Sequence, residues 1–111
     1  MKVEILGCSG SVMHGYNPTS ILLNRDTLID AGSVSSVLSE DAVCDIRHIL
    51  ITHSHIDHIK ELPFILDTLF SSRAHGVVIW ASRQTLEALT RNVFNGMIWP
   101  EIRDLNALKD V

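Results

Sequence analysis

Four side chains able to bind metal or move protons stand within six consecutive positions: His53, His55, Asp57 and His58. Neutral imidazoles and carboxylates are the ligands a divalent transition metal takes, at about 2 Å and in fixed directions. If the chain is extended through His53-x-His55, both rings project to the same side. Asp57 and His58 lie one step beyond, where the chain should turn into a helix, and would face a neighbouring volume. Such an arrangement suits two ions about 3.5–4 Å apart, which steady both the attacking and the leaving oxygen of a displacement. One histidine beside a strand is ordinarily packing or surface. Four ligand-type side chains at this density point to a metal site.

The element that must position them is Ile46 to Thr52, a nearly continuous β-branched and leucine run that reads as a strand buried on both faces. Upstream, Val3 to Leu6 reads as a strand, Gly7 to Pro18 as a loop, and Ser20 to Leu23 with Thr27 to Ile29 as a hairpin around Asn24-Arg25-Asp26. Asp30 follows that hairpin, ahead of Ala31-Gly32. It could cap a helix starting near Ser33. It could equally reach the histidines and orient a ligand imidazole from behind. The spacing of Val34, Val37 and Leu38 predicts a short helix over Ser33 to Glu40. Downstream, Leu62 to Phe70 has helical spacing with Pro63 in its first turn, and Val77 to Trp80 is a buried-type strand. Ser82 to Val93 is a helix with a good N-cap, and Arg103 to Lys109 a last short helix. Strands and a hairpin followed by alternating strands and helices argue for an α/β layer, a mixed sheet with helices on one face.

The other histidines are poor candidates for ligands. His14 lies in the early loop, His48 at the far end of its strand beside Arg47, and His75 in the connector Ser71 to Gly76.

A chain of 111 residues makes one domain. With 46% hydrophobic and 20% charged residues, three prolines and no low-complexity run, it does not have the composition of a disordered segment. The net charge is −4 and the basic residues are scattered singly, which disfavours nucleic acid as a partner. Met1 to Leu6 holds no long apolar stretch, so neither a secretory signal nor a membrane span is expected, and a cytoplasmic location is. Cys8 and Cys44 then read as reduced, packed thiols.

The stretch His53-Ser54-His55-Ile56-Asp57-His58 resembles the His-x-His-x-Asp-His signature of the metallo-β-lactamase superfamily. Leu28-Ile29-Asp30-Ala31-Gly32 matches the segment preceding that motif, and Gly7-Cys8-Ser9-Gly10 looks like the superfamily's first loop. Ile79-Trp80-Ala81-Ser82, Leu86-Glu87-Ala88-Leu89 and Asn92 to Pro100 look most like bacterial relatives of the class II cyclic-nucleotide phosphodiesterases. Three positions depart from that pattern: Ile56 replaces the usual leucine, Glu61 stands where a small residue is preferred, and Pro63 where an aliphatic is.

The resemblance implies the N-terminal αβ half of an αβ/βα four-layer sandwich, and so a single, incomplete metallo-β-lactamase-like domain over residues 1–111. It implies two zinc ions per complete site, with manganese or iron able to replace them. His53 and His55 would serve one ion and Asp57 and His58 the other, with Asp30 as the supporting carboxylate. A metal-bridging hydroxide would be the nucleophile, and Asp57 would also accept a hydrogen bond from that water. The implied activity is hydrolysis of a 3′,5′-cyclic nucleotide or related small phosphodiester. Related chemistries are transfer-RNA 3′ processing and the hydrolysis of thioesters or lactams. A complete site of this kind also draws an Asp and two His from a second half, so the 111 residues alone are expected to be inactive. The contrasting expectation is a non-catalytic, partly metal-binding fragment that self-associates, as a homodimer for example, through an exposed sheet.

Overall fold

The computed structural model describes residues 1–72, 76–104 and 107–111. The expected hairpin forms from β2 (Ser20–Leu23) and β3 (Thr27–Ile29). Asn24 and Arg25 between them take positive φ, 54° and 76°, the left-handed conformation that short hairpin turns favour. β1 (Val3–Gly7) pairs antiparallel with β2 at one edge. On the other side of β3, three strands add in parallel and in chain order: β4 (His48–Leu50), β5 (Val78–Ala81) and β6 (Leu108–Asp110). The helices lie in the connections: α1 (Glu40–Cys44), α2 (Ile56–Ile59), α3 (Leu62–Ser72) and α4 (Arg83–Asn92).

The period-2 alternation of the strands divides the sheet into two unlike faces. Leu22, Leu28, Ile49, Ile79 and Ala81 are buried, in one core with Val43 of α1, Ile59 of α2, Leu62, Ile65, Leu66 and Leu69 of α3, and Leu89 of α4. All four helices therefore cover one face, as the sequence suggests. The opposite face carries Ile5, Ile21, Ile29, Leu50 and Trp80, aligned strand to strand by the ladder register. These side chains are half-buried or exposed, Ile5 at 68%. On this face Trp80 Nε1 donates to His48 Nδ1 at 3.1 Å, which ties His48 at the strand end away from the histidine cluster.

Three local expectations are corrected. The helix expected over Ser33 to Glu40 is a pair of turns, closed by the Val37 and Leu38 amides on the Val34 carbonyl. The helix starts later because Ser39 is its N-cap, its hydroxyl accepting from the Ala42 amide. The strand expected over Ile46 to Thr52 pairs only through His48–Leu50, and its side chains are fully buried on the helix-covered face alone. The last helix, expected over Arg103 to Lys109, does not span that range: Arg103 and Asp104 are irregular, the Ala107 amide closes a turn on the Asp104 carbonyl, and Leu108 onwards forms β6 against β5. Leu105 and Asn106 lie outside the described residues, as does His75.

Gly32 joins the hairpin to α2. A Cβ there would collide with the carbonyl oxygen of Asp57 and would lie 2.8 Å from that of Thr19 and 2.7 Å from Pro18 Cβ. Two of those neighbours are backbone and cannot rotate away. Gly32→Ala is therefore expected to cost at least about 2 kcal/mol as an overpacking change. In thermal unfolding that reads as a fall of roughly 8 °C; an unchanged midpoint would show that the loop yields freely.

Candidate metal centre

β4 and β3 end side by side, Leu50 opposite Ile29, and the chain leaves both ends toward the same edge of the sheet. Asp30 leaves β3 with a positive φ of 60°, a conformation Asp tolerates better than most residues. That turn buries its carboxylate, with the residue 2% exposed. Its amide donates to the Leu50 carbonyl at 2.8 Å, and its own carbonyl accepts from Ser20 Oγ at 2.9 Å. Oδ1 accepts from the Thr52 amide at 2.8 Å. Oδ2 accepts from Thr52 Oγ1 and lies 2.8 Å from His58 Nδ1. Of the two roles open to Asp30 in the sequence, the helix cap is excluded. The side chain reaches the histidine cluster.

The network assigns the protons. Thr52 has one hydroxyl hydrogen, and with that given to Asp30 its oxygen can only accept from His53 Nδ1, 3.0 Å away. His53 is then the Nδ1–H tautomer, with a lone pair on Nε2. His58 donates from Nδ1 to Asp30 in the same way, and its Nε2 lies 3.3 Å from Asp57 Oδ2. His55 starts α2 from extended backbone and spends no side-chain bond on capping it. Its ring stands edge-on to that of His53 at 4.7 Å, and the His53 and His58 rings are 4.2 Å apart.

All four residues singled out by spacing therefore meet at one place, with Asp30 behind them. Their donor set is of the kind zinc takes: imidazoles with free Nε2 and a carboxylate. Among the described residues, however, no group of three His, Cys, Asp or Glu side chains stands ready arranged around an ion. Here His58 Nε2 faces Asp57 instead of converging with His53 and His55 on one point. His14 is exposed in its loop, and His48 is engaged by Trp80. A cavity of about 290 Å³ separates His53 and His55 from Ser82, Gln84 and Thr85 at the start of α4. The sequence reading missed Thr52 and Ser20, small hydroxyl residues at strand ends whose partners lie far along the chain.

Comparison with known proteins gives concordant findings. The family model of the class-II cAMP phosphodiesterases matches residues 20–109. The chain is 29% identical over 58 residues to the 3′,5′-cyclic-nucleotide phosphodiesterase of Candida albicans, covering 52% of this chain and 13% of that protein. It is 34% identical over 86 residues to ribonuclease Z of Haloarcula marismortui, covering 71% and 28%. Among solved structures, unliganded yeast PDE1 superposes over 98% of this chain and 50% of its own, with a TM-score of 0.77 and 16% identity. The metallo-β-lactamase fold protein YhfI of Bacillus subtilis does so over 98% and 44%, with a TM-score of 0.66 and 17% identity. The fold is thus of the metallo-β-lactamase type. The chain spans half or less of the relatives it matches.

Asp30→Asn tests the network without disturbing the left-handed backbone, which Asn also adopts. Its amide group must face one of the three donors now held by the carboxylate, leaving a buried donor against a donor. A loss of about 2 kcal/mol is expected in urea unfolding. An unchanged midpoint would remove Asp30 from the network.

Proposed function

The chain belongs to the class-II cAMP phosphodiesterases, and on that premise we propose that it carries one wall of a zinc-dependent phosphodiester-hydrolysing centre. The family is one of hydrolases. The substrate proposed is a 3′,5′-cyclic nucleotide or a closely related small phosphodiester. The observation that carries the reading is the linked set His53–Thr52–Asp30–His58, in which one buried carboxylate engages two ring nitrogens, His58 Nδ1 directly and His53 Nδ1 through Thr52.

In this reading His53 and His55 hold one ion and Asp57 and His58 the other. When bound, the ions supply Lewis acidity: they make water a stronger acid and offset the charge that builds on a phosphodiester. The chain's own residues do the rest. Asp30 and Thr52 hold the rings in one orientation, so little reorganisation remains when ligands bind. Asp57 Oδ2, 3.3 Å from His58 Nε2, is proposed to accept a hydrogen bond from the attacking water. The cavity beside His53 and His55 gives the phosphodiester room. The remaining ligands are proposed to come from a second half like that of the longer relatives, and residues 1–111 to be one incomplete domain. Among the described residues no helix is long and apolar enough to cross a membrane; a cytoplasmic location is part of the proposal.

The test is zinc content together with turnover of bis(p-nitrophenyl) phosphate, cyclic AMP and a precursor transfer RNA, for the chain alone and joined to such a second half. The joined protein is expected to bind two zinc ions and hydrolyse cyclic AMP, with His55→Ala lowering zinc content toward one ion and the rate by at least tenfold. Unchanged zinc and rate in His55→Ala would sink the site assignment. Preferential cleavage of the RNA would move the substrate to the class suggested by the similarity to ribonuclease Z.

A second reading is favoured by the apolar face of the sheet: alone, the chain self-associates through Ile5, Ile21, Ile29, Leu50 and Trp80 without turnover. Ile21→Lys and Ile29→Lys, both on that face, are expected to shift the chain toward monomer in sedimentation velocity while its helical circular dichroism is kept. Association unaffected by either change would exclude this face.

A further inference from the structure

Glu61 stands between α2 and α3, one of the positions that depart from the family pattern. Its side chain is 13% exposed. Oε2 accepts from the Val34 amide at 2.7 Å, and Oε1 from the Ser35 amide at 3.1 Å and from the Ser35 hydroxyl. Its backbone amide donates to the Ala31 carbonyl at 2.9 Å, and its carbonyl accepts from Ile65 in the first turn of α3. One residue therefore grips the segment 31–35 at both ends.

That segment follows directly on Asp30, and the grip lies beside the cluster. The Ala31 amide donates to the His58 carbonyl at 2.7 Å, and Gly32 sits flat against the Asp57 carbonyl. The two loops are thus joined along their length: Asp30 to His58 through side chains, Ala31 to His58 through backbone, Ala31 to Glu61 through backbone, and residues 34 and 35 to Glu61 through its carboxylate. Val34 packs in the core with Leu62 and Ile65 of α3, and Glu61 adds the hydrogen bonds that tie residues 34 and 35 to the start of that helix. If the far end of the segment were released, Ala31 and Asp30 would lose one of the constraints that keep the buried carboxylate on His58 Nδ1. Two loose amides would also have to find water. A neutral amide or a small residue at position 61 cannot take both N–H groups as a carboxylate does.

We infer that Glu61 is a positioning residue for this centre: by clamping residues 34 and 35 it holds Asp30 on His58, and so sets the tautomer and direction of the His58 ring. The effect on metal rests on the zinc-site reading above; the effect on the ring does not. Ligand orientation by supporting groups is worth roughly 10- to 100-fold in metal affinity.

The experiment compares the wild-type chain with Glu61→Ala, Glu61→Gln and Ser35→Ala. It uses imidazole ¹⁵N spectra of the metal-free protein, zinc affinity by competition with a chromophoric chelator, and thermal unfolding. In the wild type, the His58 ring nitrogens are expected to report a proton held on Nδ1. Glu61→Ala is expected to spread that proton between the two nitrogens and to weaken zinc binding about tenfold. Glu61→Gln, with one acceptor left for two amides, is expected to fall between, and Ser35→Ala to shift the same signals less. If Glu61→Ala does not fold, Glu61→Gln and Ser35→Ala carry the comparison. A lower melting temperature with unmoved His58 signals would overturn the proposal and leave Glu61 a purely structural clamp. If instead His58→Ala leaves zinc affinity unchanged, the zinc-site reading fails, and Glu61 is judged on the ring signals alone.

Discussion

A carboxylate buried to 2% exposure at the end of a strand is costly unless every lone pair finds a donor, and Asp30 finds them on two other elements. Its oxygens join the end of β3 to Thr52 after β4 and to His58 in α2. Its backbone amide continues the β3–β4 pairing to Leu50, and its carbonyl is held by Ser20 in β2. The left-handed backbone at Asp30 is what points the side chain inward, and the five surrounding bonds hold it there. Sheet edge, loop and histidine cluster are arranged around this one group.

The consequence is a division of labour inside the cluster. His53 and His58 are oriented through Thr52 and Asp30, whereas His55 starts a helix and is held by backbone alone. Asp57 lies across His58 from Asp30, so a single ring separates two carboxylates. The same geometry explains why the four ligand-type residues do not by themselves enclose an ion.

The sheet repeats that asymmetry on a larger scale. One face is sealed by four helices in chain order, the natural product of short parallel crossovers. The other carries a row of isoleucine, leucine and tryptophan side chains with little covering it. The nearly continuous apolar run through β4 already pointed to two apolar faces, since a strand apolar on both sides is built to be covered on both.

What could be read from the residues alone is whatever depends on near neighbours. The hairpin follows from a polar turn between β-branched runs, and α4 from an N-cap and a helical stripe. The histidine cluster follows from four ligand-type side chains close in the chain. Where partners lie far apart, local pattern failed or left alternatives open. Asp30 could have capped a helix, and only folding brought it to Thr52 and His58, 22 and 28 residues away. Val34, Val37 and Leu38 have helical spacing, but the segment closes only turns on the Val34 carbonyl, with its first amides held by Glu61, 26 and 27 residues on, and Ser39 starts the helix instead. β6 is a strand because β5 offers it a parallel edge, whereas its own residues fit a helix equally well. Spacing along the chain thus determined which groups could do chemistry. The tertiary structure decided which way they point, because a buried hydrogen bond is satisfied by whatever donor the fold brings near, however distant in sequence.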